Sequence, residues 1–224
     1  MTVFALTDEL IFPDPILANE DGLLAVGGDL SLERLLLAYQ NGIFPWYDEN
    51  APLLWWALNP RMVLFPEKFK LAKSLRQLIN KNIFEVRFDT NFAEVVNHCK
   101  TVARKDQEST WITKEMKQAY QHLFEHGFAH SVETYFNNEL VGGLYGVAIG
   151  KMFFGESMFH LKSNASKVAL YFLVEKLKKL GYRLIDAQME TPLIKSLGGE
   201  LIPLEQYREI LSNAIDKNNY RIKW

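Results

Sequence analysis

The sequence predicts an α+β protein: a mixed, mostly antiparallel sheet with helices, preceded by a smaller α/β unit at the N-terminus. Three observations carry this. Helical and extended patterns interleave from Arg61 to His126. From His130 to Phe159 the chain is extended, broken only by turn residues at Asn137-Asn138 and Gly150, which reads as consecutive antiparallel strands. A long amphipathic helix and one more short apolar strand follow, so strands and helices share one larger domain. The first stretch differs in kind: it is rich in proline, glycine and tryptophan and has little periodicity. Pro60 and Arg61 mark its edge, giving units 1–60 and 61–224.

Taken in order, residues 12–29 read as loops around one apolar segment, Leu23 to Val26. Ser31 is suited to cap a helix from Leu32 to Gln40, with Leu32, Leu35, Leu36 and Tyr39 on one face and Asn41-Gly42 at its end. The loop that follows holds Trp46, Trp55 and Trp56, which are either core for an irregular unit or a surface for stacking planar groups. Beyond it, Arg61 to Pro66 reads as a strand, Leu71 to Asn80 as a helix and Ile83 to Asp89 as a strand. Phe92 to Val102 is helical, and Thr113 caps a helix from Lys114 to His126. In the helix Asn164 to Leu180, Val168, Ala169, Leu173 and Leu177 share a face, lysines suit the C-terminal end, and Gly181 stops it. The strand Arg183 to Met189 is followed by a short helix from Pro192, a strand at Leu201 and a last helix from Leu204.

Composition excludes several classes. The net charge is -2, so only a local basic patch could hold nucleic acid. Cys99 is the single cysteine, which rules out an intramolecular disulfide and a multi-thiolate zinc site. The start lacks a secretory pattern, and no apolar run reaches the roughly 18 residues of a membrane span, so a soluble cytoplasmic protein is expected. His122, His126 and His130 are spaced four apart, but Gly127 should break their helix and no acidic partner completes a metalloprotease motif; no metal is expected.

The candidate chemistry lies on two apolar strands. Gly150 to Phe159 carries one carboxylate, Glu156, and a carboxylate inside such a run needs a partner. About thirty residues on, the next strand carries Asp186 and Gln188, which at i and i+2 should face the same way. Such groups are either a satisfied core network or a polar site in an apolar wall, and their number favours the site. There is no glycine-rich phosphate loop with its lysine, and no pyrophosphate loop of the coenzyme-A type ahead of the long helix. Between Arg61 and Arg87, seven basic residues stand against two acidic ones. That excess, beside the tryptophan-rich loop, suits either a solvated helix face or a phosphate backbone with stacked terminal bases.

Seven motifs, "GLLAVGGDLSLERLLLAYQNGIFPW", "LLWWALNPR", "STWI", "AHSVE", "LVGGLYGVAIGKMFFGESMF", "NASKVAL" and "LIDAQM", resemble the bacterial leucyl/phenylalanyl-tRNA–protein transferases, in order and over most of the chain. Ser109 departs from the glycine the family often has before "TWI". The resemblance implies an acyl-CoA N-acyltransferase-like (GNAT-like) C-terminal domain. It implies transfer of Leu or Phe, and less well Met, from aminoacyl-tRNA to proteins with N-terminal Arg or Lys, marking them for N-degron proteolysis. It puts Glu156, Asp186 and Gln188 at the reaction centre, with Asp186 as base or positioning group and the carboxylates of Asp186 and Glu156 suited to bind the acceptor's cationic N-terminal residue. It assigns Met152, Phe153, Met158, Leu170 and Ile185 to the aminoacyl pocket, and Trp46 and Trp111 to the tRNA 3′ end. With the basic patch, Arg61, Lys68, Lys70, Lys73 and Arg76 are expected to meet the tRNA backbone. The partners are leucyl-tRNA, phenylalanyl-tRNA and the acceptor proteins; no cofactor is needed and a monomer is expected. The rival readings are a coenzyme-A-dependent N-acyltransferase, which would share the fold, and a non-catalytic tRNA-binding module, which would have no need of Asp186 and Gln188.

Overall fold

The computed structural model describes residues 3–101, 112–215 and 224. The first part forms strands β1 (Phe4–Leu6), β2 (Leu23–Gly27), β3 (Phe44–Pro45) and β4 (Leu54–Trp56), with helix α1 (Leu32–Gln40) between β2 and β3. They make a four-stranded sheet in the order β1-β2-β4-β3. The Ser31 hydroxyl accepts from the Arg34 N–H and so caps α1. Strands β3 and β4 lie in the tryptophan-rich stretch read from sequence as loop. At two and three residues they are too short to show alternation; the Trp56 Nε1–H bond to the Trp46 carbonyl, 2.7 Å, ties them together.

The rest contributes β5 (Arg61–Leu64), α2 (Lys73–Asn80), β6 (Glu85–Phe88), α3 (Phe92–Thr101), α4 (Lys114–Glu125), β7 (Ala129–Phe136), β8 (Glu139–Ile149) and β9 (Met152–His160). Then come α5 (Ala165–Lys179), β10 (Leu184–Gln188), α6 (Pro192–Ser196), β11 (Glu200–Ile202) and α7 (Leu204–Ala214). Their strands form a seven-stranded sheet, β11-β5-β10-β9-β8-β7-β6. Only the β9–β10 pairing is parallel, joined through α5; the others are antiparallel, as the fold class predicted from sequence requires. The β7–β8 turn uses Asn137 and Asn138 at φ 51° and 65°, the left-handed pair a two-residue hairpin demands. Thr113 caps α4, and α3 is capped from a neighbouring strand: the buried Glu133 carboxylate accepts from Thr90 and from the Asn91 N–H. Gly142 lets the first turn of α5 lie on β8, since a Cβ there would sit 2.5 Å from that of Ala165.

Two features position the site. The parallel pairing covers only Met152–Phe154 against Leu184–Asp186; past Phe154, β9 stays with β8 while β10 stays with β5. The strands part, and a cleft opens between them. The second feature is the apolar core. One cluster joins Leu24, Tyr39 and Trp55 of the first part to Val147, Met152 and Phe154 of the large sheet, while α5 packs with Phe153 and Ile185 on the opposite face. This alternation corrects Met152: it faces the core with Phe154, on the other side of the sheet from Phe153. Among the described residues no helix is long and apolar enough to cross a membrane.

Candidate active site

The cleft between β9 and β10 has a volume of about 730 Å³, within the usual range of small-molecule sites. Phe153, Met158, Leu170 and Ile185, four of the five predicted pocket residues, line it. Phe44, Pro45 and Trp46 reach over from the first sheet. Trp46 is held edge-on to Trp56 at 5.5 Å. Trp111 and Ser109 lie outside the described residues.

Glu156 lines the cleft at an irregularity in the β8–β9 ladder, where Tyr145 pairs with Ser157 but Gly146 with Gly155. Its carboxyl turns onto two tyrosines: Tyr39 Oη is 2.8 Å from Oε1 and Tyr120 Oη is 2.6 Å from Oε2. The two hydroxyls are themselves 2.8 Å apart. Three contacts thus join groups in which the tyrosines bring two protons. A third proton, on Glu156, completes the ring; a charged Glu156 leaves the tyrosine–tyrosine contact without one. Burial, opposed by the two hydroxyl donors, raises the Glu156 pKa from 4.5 to about 7. Burial and the Glu156 charge hold both tyrosines well above the ordinary phenol value, so they remain donors.

A stability effect follows with a definite sign. Between pH 4.5 and about 7 the folded protein keeps a proton that the unfolded chain releases. The stabilisation is complete below 4.5 and lost as pH rises to about 7. The cleft leaves Glu156 partly in contact with water, so the loss is set at about 1–3 kcal/mol. Urea unfolding of the protein and of Glu156→Gln, from pH 5 to 8, should show this loss only in the former; equal slopes would contradict it.

Asp186 and Gln188 do not face the same way. Met189 N–H bonds back to the Ala187 carbonyl at 2.6 Å, closing a three-residue turn around Gln188, whose φ is 54°. The register against β5 shifts at the same place. One extra residue reverses the alternation. Gln188 therefore borders the cleft, with its Nε2 buried and without a hydrogen-bond partner, and Asp186 lies beneath on the other side.

Asp186 is fully buried and fully engaged. Oδ1 accepts from Arg61 Nε and from the Gln188 N–H, both at 2.9 Å. Oδ2 accepts from Arg61 Nη2 at 2.8 Å and from Tyr207 Oη at 2.6 Å. Four donors use the acceptor positions a carboxylate offers. Two expectations are corrected here. Asp186 has no lone pair left for a substrate cation. Arg61, 0% exposed, cannot meet a phosphate backbone; its guanidinium lies over the rings of Phe44 (4.6 Å) and Tyr207 (5.0 Å). Burial acts to discharge Arg61, but Asp186 and Tyr207 outweigh it and hold its pKa above the usual value. Lys68, Lys70, Lys73 and Arg76 are exposed, with Lys68 paired to Glu200.

Sequence reasoning missed Tyr39, Tyr120 and Tyr207. A tyrosine on the apolar face of α1 and a carboxylate in an apolar strand each demanded a partner, which was a signal for Tyr39. Nothing local marked Tyr207. The histidines serve elsewhere: Nδ1 of His126 lies 2.8 Å from the His122 carbonyl at the end of α4, and His130 pairs with Asp89 at 2.8 Å.

An apolar pocket bordered by an unpartnered amide donor and a carboxyl with a raised pKa is a candidate enzyme site. The comparisons name the kind. Residues 63–212 match the family model "Leucyl/phenylalanyl-tRNA protein transferase", and residues 28–58 match its N-terminal domain. A leucyl/phenylalanyl-tRNA–protein transferase of Syntrophobacter fumaroxidans is 52% identical, covering 100% of this chain and 96% of that protein. One from Thermodesulfovibrio yellowstonii is 50% identical, covering 100% and 91%. Among solved structures, a GCN5-related N-acetyltransferase from Kribbella flavida aligns with a TM-score of 0.38 and 10% identity, over 74% of this chain and 59% of that one. The chain belongs to the leucyl/phenylalanyl-tRNA–protein transferase family, a family of aminoacyltransferases.

Proposed function

We propose that this protein moves leucine or phenylalanine, and methionine less well, from aminoacyl-tRNA to the N-terminal amine of proteins that begin with Arg or Lys. The product is a mark for N-degron proteolysis in the cytoplasm, and the enzyme works as a monomer. The observation that carries this reading is the cleft itself: an apolar pocket of Phe153, Met158, Leu170 and Ile185 beside the unpartnered Gln188 amide.

The aminoacyl ester is already activated, so the reaction calls for no cofactor. The neutral acceptor amine attacks the ester carbonyl carbon, a C–N bond forms, and the carbonyl oxygen takes up negative charge. The C–O bond to the terminal ribose then breaks, and the proton lost by the amine balances the one gained by the ribose oxygen. Gln188 Nε2 is the donor for the oxyanion. Glu156, charged above pH about 7, attracts the cationic N-terminal residue. Asp186 already accepts four hydrogen bonds and acts by position, not as the base. Residues 1–60 bring Trp46, a platform for the terminal adenine, and Tyr39; residues 61–224 bring the remainder, including Trp111 for the same 3′ end. A flexible apolar wall discriminates by size only modestly, about 1–3 kcal/mol per methylene, which is why methionine should be accepted.

Purified radiolabelled leucyl-tRNA should label a peptide with N-terminal Arg and not one with N-terminal Ala. Labelling of neither, with tRNA bound, would discard the reading. Lys70, Lys73 and Arg76, exposed on and before α2, should meet phosphates. Charge reversal at the three is expected to weaken tRNA binding and flatten its salt dependence by roughly one unit per lost contact, leaving the Leu-to-Phe preference unchanged. An unaltered Kd and slope would remove them from the interface.

A further inference from the structure

Gln188 is a strained point in the wall of the cleft. A residue with a side chain occupies the left-handed region there, and strain of this kind persists only where the surroundings enforce it. Were the turn to relax into regular strand, the alternation would return and the Gln188 side chain would swing to the face of Asp186, away from the cleft. The group that opposes this is the Asp186 carboxylate, whose Oδ1 accepts from the Gln188 N–H at 2.9 Å. That carboxylate is itself held from outside the strand. Arg61, from β5, grips both oxygens. Tyr207, from α7, donates to Oδ2 at 2.6 Å. The Arg61 guanidinium also lies over the rings of Phe44 and Tyr207, 4.6 Å and 5.0 Å from their centroids.

We infer that Arg61 and Tyr207 are positioning residues: acting through Asp186, they hold the turn that presents the Gln188 amide to the reacting ester. This rests on the transfer reaction proposed above and deepens it, because it assigns the aim of the donor to two residues that touch neither substrate. Tyr207 is more than packing in this scheme. Its ring covers Arg61 and its hydroxyl fixes the carboxylate, so the two functions can be separated by removing one oxygen atom.

The test is Tyr207→Phe, which keeps the ring. Single-turnover transfer from saturating leucyl-tRNA to saturating Arg peptide is expected to fall roughly tenfold, with both KM values within twofold, because a misaimed group costs rate rather than binding. Combined with Gln188→Ala, the change should cost nothing further, since the donor it aims is gone. A Tyr207 that only stabilises the fold would slow both backgrounds by the same factor. The backbone and side-chain amide resonances of ¹⁵N-labelled Gln188 should also move in Tyr207→Phe. An unchanged rate, an equal loss in both backgrounds, or unmoved Gln188 resonances would each overturn the inference. If the unsubstituted protein transfers nothing, the functional reading fails separately, and the resonances still decide whether Tyr207 positions Gln188.

Discussion

Arg61→Ala is expected to destabilise the protein by about 3–5 kcal/mol, enough to leave much of it unfolded at 37 °C. The cause is what remains. Asp186 would be left without its arginine in a site that is 0% exposed, with Tyr207 and the Gln188 N–H as its only donors. Phe44 and Tyr207 would also lose the guanidinium over their rings. Urea unfolding followed by tryptophan fluorescence measures the effect, and a loss under about 1 kcal/mol would contradict it. The double variant Arg61→Met, Asp186→Leu removes both charges and should recover most of the stability, since buried ion pairs exchange well for apolar groups. It should recover none of the transfer activity, because the turn at Gln188 loses its acceptor.

Gln188→Ala carries the second large effect, on rate. Removing a donor aimed at a developing oxyanion costs about 10²- to 10³-fold. Single-turnover transfer should fall by that factor, while leucyl-tRNA binding changes less than twofold, since the apolar wall proposed to hold the amino acid is untouched. Gln188→Glu, of the same shape but without the donor, should fall equally far. A rate within threefold of the unsubstituted protein in either variant would remove Gln188 from the chemistry.

These two residues also mark where sequence patterning runs out. The elements were legible because each rests on a local rule: Ser31 and Thr113 as caps, Asn137-Asn138 as a turn, the apolar face of α5. The polar site was legible too, since Glu156, Asp186 and Gln188 interrupt apolar strands. Their orientation was not. The alternation rule puts Asp186 and Gln188 on one face, and a single turn held by a hydrogen bond to an internal carboxylate reverses it. Arg61 failed for a related reason: counting charge along the chain cannot distinguish a lysine on the surface of α2 from an arginine neutralised by a carboxylate 125 residues away. Met152 went to the pocket by its place in a motif, although its parity with Phe154 points it into the core. The predicted tRNA-facing residues thus divide by burial and the predicted pocket residues by the face of the sheet they occupy.

The donors and acceptors of the site come from distant parts of the chain. Tyr39 and Glu156 are 117 residues apart, Arg61 and Asp186 are 125, and Asp14 and Arg208, which clamp the outside of α7, are 194. Such wiring gives a high contact order, and a fold of this kind assembles late and slowly. On the ribosome, a nascent chain that has exposed the first sheet and the whole of β9 still lacks Asp186 and Tyr207. It lacks Leu170, Ile185 and Gln188 as well, so neither wall of the cleft beyond β9 is yet in place. On the inference drawn above, the Gln188 amide is aimed only once α7 has docked and brought Tyr207 to Asp186.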